Sequence, residues 1–265
     1  MEINEPTIKS LKDLDKLKNE MAWIRMAGKY DPIYRGQPSD KYKLIHGLSR
    51  KVKDIDNLKI IEEDIIRDFY NELKTKKLDN KIQENLFGDK YSNEKEWGKL
   101  FQAQHLGLPT RLLDWTISLE AALYFAIGDQ NHVNENGMLF IYYVPKDIFY
   151  TADNMGDYLN YSPYKINELL FINHPFSIDN RRKEFTGENR REKQFGRFSI
   201  EPIEKSIIPL EKENPNVTKH LIPKEYKKEL KRCLNDQKIT DSKLLVRSEE
   251  IIAEIITNLK HKYEL

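Results

Sequence analysis

The stretch Gln104-His105-Leu106-Gly107-Leu108-Pro109-Thr110-Arg111-Leu112-Leu113-Asp114-Trp115-Thr116, running on through Ile117 and Ser118 into Leu119-Glu120-Ala121-Ala122-Leu123-Tyr124-Phe125-Ala126-Ile127, decides how this chain folds. The Gly-Leu-Pro break at 107–109 ends one helix, and Ser118 or Thr116 can cap the next. That next helix is almost wholly apolar, through Leu119, Ala122, Leu123, Phe125 and Ala126, which predicts a central, buried position. Downstream of a polar turn at Asn131 to Gly137, Met138-Leu139-Phe140-Ile141-Tyr142-Tyr143-Val144 is an unbroken apolar run of strand length, as expected of an inner sheet strand. Upstream, Trp97, Leu100 and Phe101 mark the helix that the break ends.

Further out, Leu58, Ile61, Ile65, Ile66, Phe69 and Leu73 give a second amphipathic helix, and Ile8, Leu11, Leu14, Leu17, Met21 and Ile24 another, with Ser10 and Asp13 at its start. Between them Tyr30 to Gln37 reads as a short strand that Pro32 keeps out of any helix. Leu169 to Ile172 and Phe195 to Ile200 are later strands, with edge strands expected at Ile207-Ile208 and Val217 to Ile222. Helical periodicity returns through Tyr226, Leu230, Leu234 and Ile251 to Leu259. These elements predict one α+β domain over residues 1–265: an N-terminal helix at 8–27, a core at 30–222 built on a central, mostly antiparallel sheet packed by helices, and a helical C-terminal segment at 223–262.

Composition narrows the function classes. Of 265 residues 33% are charged, yet the formal net charge is +1, so no global field recruits nucleic acid or anionic lipid. Cys233 is the only cysteine, which excludes an internal disulfide framework and fits a reducing, cytoplasmic setting. The acidic N-terminus lacks the basic region of a signal peptide, and no run approaches the roughly 18 apolar residues of a membrane span. There is no Gly-rich phosphate loop, no His-Glu-x-x-His and no Gly-x-Ser-x-Gly, and six scattered histidines predict no metal site.

Three regions can carry chemistry. Arg35 stands at a strand end beside Gly36, which admits another backbone or a phosphate; its planar fork suits two phosphate oxygens, or a carboxylate such as Asp114. Arg111, Asp114 and His105 lie among apolar residues and need partners, from each other, from backbone or from a ligand; the structural alternative is an Arg111–Asp114 pair under Trp115. His105 is a candidate because histidine as a residue type can exchange a proton near neutral pH, and Thr116 at a helix start can orient a bound group. Between Arg181 and Arg197 there are seven Arg or Lys against three Glu, either a solvated face or a patch for a phosphate-bearing ligand, RNA or a protein target. Its last part brings Glu192 and Gln194 to the start of a strand.

Tyr34-Arg35-Gly36-Gln37, the Gln104 to Thr116 stretch and Ala122-Leu123-Tyr124-Phe125-Ala126 together resemble the FRG domain family, named for its Phe/Tyr-Arg-Gly motif. Arg191-x-x-Gln194-x-Gly196-x-Phe198 and the tail around Leu230 to Ile252 extend the resemblance over about residues 8 to 260. It implies a bacterial or phage setting, with phage defence and toxin-like roles. A second resemblance, to ADP-ribosyltransferases, rests on the order Arg35, Thr110 to Thr116 with Ala122 to Ala126, then Glu192 or Gln194; Glu201 could also take the glutamate's place. That resemblance implies a split sheet and NAD as substrate, and the enzyme, if one, would be an ADP-ribosyltransferase or NAD glycohydrolase. In it Arg35 holds the pyrophosphate with Gly36 and Gln37, and His105, Thr110 and Thr116 line the pocket. Tyr34 or Trp115 stacks on the nicotinamide or base, and Gln194 or Glu192 addresses the ribose. The competing expectations are a nucleotide- or RNA-binding module using Arg181 to Arg197, and a sensor domain in which the motifs only hold the fold.

Overall fold

Ser10 caps the first helix as its spacing predicts, its hydroxyl accepting from the Asp13 N–H at 3.3 Å. In this computed structural model, which describes residues 5–76, 96–150, 162–173, 196–237, 239 and 250–265, α1 therefore spans Leu11–Met26 rather than 8–27. Ile8 lies outside it, its N–H donating to the Leu221 carbonyl. There follow β1 (Tyr30–Gln37), α2 (Ile55–Thr75), α3 (Glu96–Leu106), β2 (Leu112–Thr116), α4 (Leu119–Ile127), β3 (Gly137–Pro145), β4 (Phe149–Tyr150), β5 (Leu170–Asn173), β6 (Gly196–Ile200), α5 (Leu210–Glu213), β7 (Val217–Ile222), α6 (Lys224–Asp236) and α7 (Glu250–Lys262). Gly107, with φ of 101°, supplies the left-handed residue just past α3. Ile207-Ile208 is not an edge strand: the pair lies in a turn between Ser206 and Pro209, with Ile207 packed near Leu48.

The arrangement is α+β, as expected. The strands form one sheet in the order β4-β5-β6-β2-β1-β3-β7, antiparallel except for the β4–β5 pair. The apolar run 138–144 does form an inner strand, between β1 and β7. One face is covered by helices, through two clusters. Leu112, Ile172, Phe198 and Ile200 pack with α2, α3 and α7, and Tyr34, Leu139 and Ile141 with α1, α4 and α6. Ile33, Leu113, Trp115, Phe140 and Tyr142 face the other way, under Leu44 and Leu210. Among the described residues no helix is long and apolar enough to cross a membrane.

The ladders are unequal. β1 pairs with β3 at eight positions and β2 with β6 at five. β1 and β2 meet at one, Tyr34 opposite Thr116. The two-part sheet implied by the second resemblance is thus corrected to one sheet with a pinch in its middle, because that Tyr34–Thr116 pairing still joins the halves.

Helix α4 lies against the sheet beside this pinch. A Cβ built on Gly36 would stand 1.8 Å from the Ala122 carbonyl oxygen and 2.7 Å from the Ala126 nitrogen. The same face of α4 presses on the neighbouring strand, where a Cβ on Gly137 would meet the Ala126 oxygen at 2.4 Å. Small residues at 122 and 126, one turn apart, and glycines on two adjacent strands let helix backbone touch sheet backbone.

Candidate functional site

At the pinch, Arg35 takes up an acceptor that strand pairing leaves over: its Nη1 donates to the Asp114 carbonyl oxygen. The same nitrogen lies 3.9 Å from Asp114 Oδ2, with the Arg35 side chain 20% and the Asp114 side chain 47% exposed. Asp114 is held in turn. Gln104, at the end of α3, donates from Nε2 to Asp114 Oδ2 at 2.7 Å. Its Oε1 accepts from the Thr110 hydroxyl at 2.7 Å, and the Thr110 oxygen accepts from the Leu112 N–H at 3.2 Å. The chain of bonds fixes the amide's orientation, so the carboxylate is presented in one place. Gln104→Ala is expected to lower unfolding free energy in urea by about 1–3 kcal/mol, because it strands the buried Thr110 hydroxyl and frees Asp114.

Two polar atoms on β1 remain unused. Among the described residues Arg35 Nε and Gln37 Oε1 are buried without a hydrogen-bond partner, two residues apart and so on one face of the strand. Such orphans are costly unless something else satisfies them. Burial pulls the Arg35 guanidinium down to about 10, Asp114 opposes that shift, and the positive charge of Arg50 adds to it. Arg35 is therefore still a cation at neutral pH. A second cation within electrostatic reach makes an anion between them favourable.

The other expected site residues fall differently. Arg111 does not pair with Asp114. Its Nε meets Glu62 Oε2 at 2.8 Å, both side chains fully buried, and its backbone N–H also donates to Glu62. Nη1 and Nη2 donate to the Glu201 and Pro163 carbonyls, each at 2.9 Å, and the guanidinium stacks over Tyr164. Every nitrogen is thus used within the fold. Tyr34 and Trp115 are 1% and 2% exposed, so neither offers an open ring face for stacking. Tyr34 lies under Arg25, and the Trp115 indole N–H donates to Ser199 Oγ at 2.8 Å.

Gly36 is filled by α4, which makes backbone, and not phosphate, the group that it admits. Thr116 accepts from the Ser118 N–H, while Ser118 itself caps α4. His105 stands half-buried in the last turn of α3, next to Gln104. Glu192 and Gln194 lie outside the described residues, as does the basic run up to residue 195. Gly196, the first residue of β6, stands opposite Thr116 at the pinch. Arg197 beside it has a guanidinium lowered by burial and supported by Asp31. Among the described residues no cluster of three or more His, Cys, Asp or Glu could hold a metal ion.

Asp114 was expected as a partner of Arg35 or Arg111 and contacts Arg35, whereas its link to Gln104 was not foreseen, although both lie in the stretch that decides the fold. Their signal was the spacing between a helix end and a strand interior, which means little before the two are seen side by side. The elements that build the pinch, from β1 to the end of α4, are also where a family model matches, over residues 31–135. The model that matches there is that of the FRG domain. The FRG match is narrower than the residues 8 to 260 expected, since it ends before β3 and includes neither Gln194 nor the C-terminal helices. No curated protein and no solved structure matches the chain, so the ADP-ribosyltransferase resemblance gains no support from relatives.

Proposed function

We propose that the pinch between β1 and β2 of this FRG protein binds a phosphate-bearing small molecule, with Arg35 as its anion anchor and NAD as the ligand that the motif order implies. The carrying observation is the Arg35 guanidinium, held by Asp114 on one nitrogen and left with a buried, unpartnered Nε where the two strands separate. A phosphate oxygen satisfies that nitrogen, and the amide of Gln37 offers a neighbouring acceptor for a ligand hydroxyl. The fit to NAD is partial. The residues present suit its pyrophosphate, whereas Tyr34 and Trp115 are not available to its rings. An NAD-consuming effector acting in phage defence or as a toxin is the cellular role that such a site would serve.

Titration calorimetry with NAD, ADP-ribose and inorganic pyrophosphate tests the reading. Arg35→Ala is expected to weaken binding about 10- to 100-fold, the worth of a charge-assisted hydrogen bond. Arg35→Lys should fall between, because a point charge replaces the fork. Unchanged affinity in Arg35→Ala, or no binding of any of the three by the wild-type protein, would refute the proposal. Nicotinamide release from NAD then separates turnover from binding alone. Binding of RNA that weakens steeply with salt and persists in Arg35→Ala would instead favour the basic run from Arg181 to Arg197.

A further inference from the structure

Beyond the end of β6, on the sheet face away from the helices, lies a cavity of about 380 Å³ that shares no residue with the pinch. Leu169, Pro202 and Leu210 supply apolar wall, and Glu168, Glu201 and Glu213 bring carboxyl groups to it. Glu201 is 4% exposed, and among the described residues its Oε2 has no hydrogen-bond partner. Among the described residues that line the cavity the cation is Lys205, which is 61% exposed and lies 3.9 Å from Glu213. A buried carboxyl oxygen without a donor, on a residue that lines a space with further carboxyls, suits an arriving positive charge.

We propose that this cavity binds the primary ammonium group of an aliphatic amine, received by Glu201 Oε2 with Glu213 beside it and the methylene chain against Leu169, Pro202 and Leu210. A lone orphaned oxygen suits the point charge of an ammonium better than a guanidinium fork, which needs paired acceptors. The electrostatics agree with the geometry. Burial, followed by Glu213 and Glu211, pushes the Glu201 carboxyl up to about 8, against the opposing pull of Lys205. In the empty protein at neutral pH the carboxyl keeps its proton. An arriving ammonium ionises it, the proton leaves to the buffer, and a carboxylate–ammonium pair remains.

The same shift sets the stability of the empty protein. The unfolded carboxyl ionises near its ordinary 4.5, whereas the folded one holds its proton to about 8. Stability is therefore full below the lower value and declines as pH rises through that window. Glu201→Gln, which mimics the protonated acid, should match the wild-type melting temperature at about pH 4 and exceed it at about pH 8.5.

The test is calorimetry with 1,4-diaminobutane and Nα-acetyl-lysine amide, in buffers of different ionisation heat. Expected are affinity that rises between about pH 6 and about pH 8.5, net proton release at neutral pH, and at least about tenfold weaker binding in Glu201→Gln. Binding of the diamine alone assigns the cavity to free amines, and binding of the lysine derivative to a lysine side chain. Binding of neither, equal binding by Glu201→Gln, or binding without proton release overturns the proposal. The melting curves show independently that the variant is folded.

Discussion

Arg111→Met is expected to lower the unfolding free energy by about 3–5 kcal/mol, because it leaves the Glu62 carboxylate buried with no counter-charge. For a chain of this size that corresponds to a fall in melting temperature of about 10 °C. Neither side chain has any exposed surface, so water cannot take the lost partner's place. Arg111 also carries the Glu201 and Pro163 carbonyls, which ties α2, the entry to β2, the exit from β6 and the 162–164 segment to one guanidinium. The double variant Glu62→Leu/Arg111→Met should recover part of the loss by removing the stranded charge, but not the two carbonyl bonds. Urea titrations of both single variants and the double give the coupling. A loss below about 1 kcal/mol in Arg111→Met, the worth of an exposed pair, would refute this account of the network.

Gly36→Ala should be more severe still. The added methyl would meet main-chain atoms of α4 at 1.8 and 2.7 Å. Those atoms move only if the helix moves, and α4 is buried on most of its surface. Failure to accumulate as folded protein is the expected result, beyond the usual cost of about 1–3 kcal/mol for overpacking a core. Gly196→Ala is the control. A Cβ there meets nothing within 4 Å among the described residues, and the variant's stability should stay within about 0.5 kcal/mol of wild type. A Gly36→Ala protein that folds normally and loses only ligand affinity would return this glycine to the binding role expected from the sequence.

Most of the scaffold was legible before any coordinates. Ser10 with Asp13, the apolar helix at 119–127 and the run at 138–144 each carry a local signal strong enough to locate an element. The partners of the charged residues were not legible. Asp114 is the nearest acidic residue to Arg111 in sequence, three positions on, but an odd spacing along an extended chain sends the two side chains to opposite faces. Glu62, forty-nine positions away, is the real partner, and its own signal was overlooked. It sits between Leu58 and Ile65 on the stripe that turns inward in a 3.6-residue period, where an acidic residue demands a buried cation. Gly36 was read as admitting another backbone or a phosphate, and Ala122 and Ala126 were already showing the small helix face that decides for backbone. The site was half legible. Arg35 was found from its motif, whereas Gln104 and Asp114 become a unit only when a helix end and a strand are brought together.

The unequal ladders also bear on what the family segment is. Residues 31–135 contain β1 and β2, two strands that meet once, while the long partner of each, β3 and β6, comes later in the chain. Cut out at the family boundaries, the segment would expose two strand edges whose backbone groups have lost their pairing, one on β1 and one on β2, and it would lack β3, whose Gly137 lies against Ala126 of α4. The FRG signature thus marks the part of the polypeptide that forms the β1–β2 pinch, whereas the cooperative unit that can fold is larger and is completed by chain that the signature leaves unmarked.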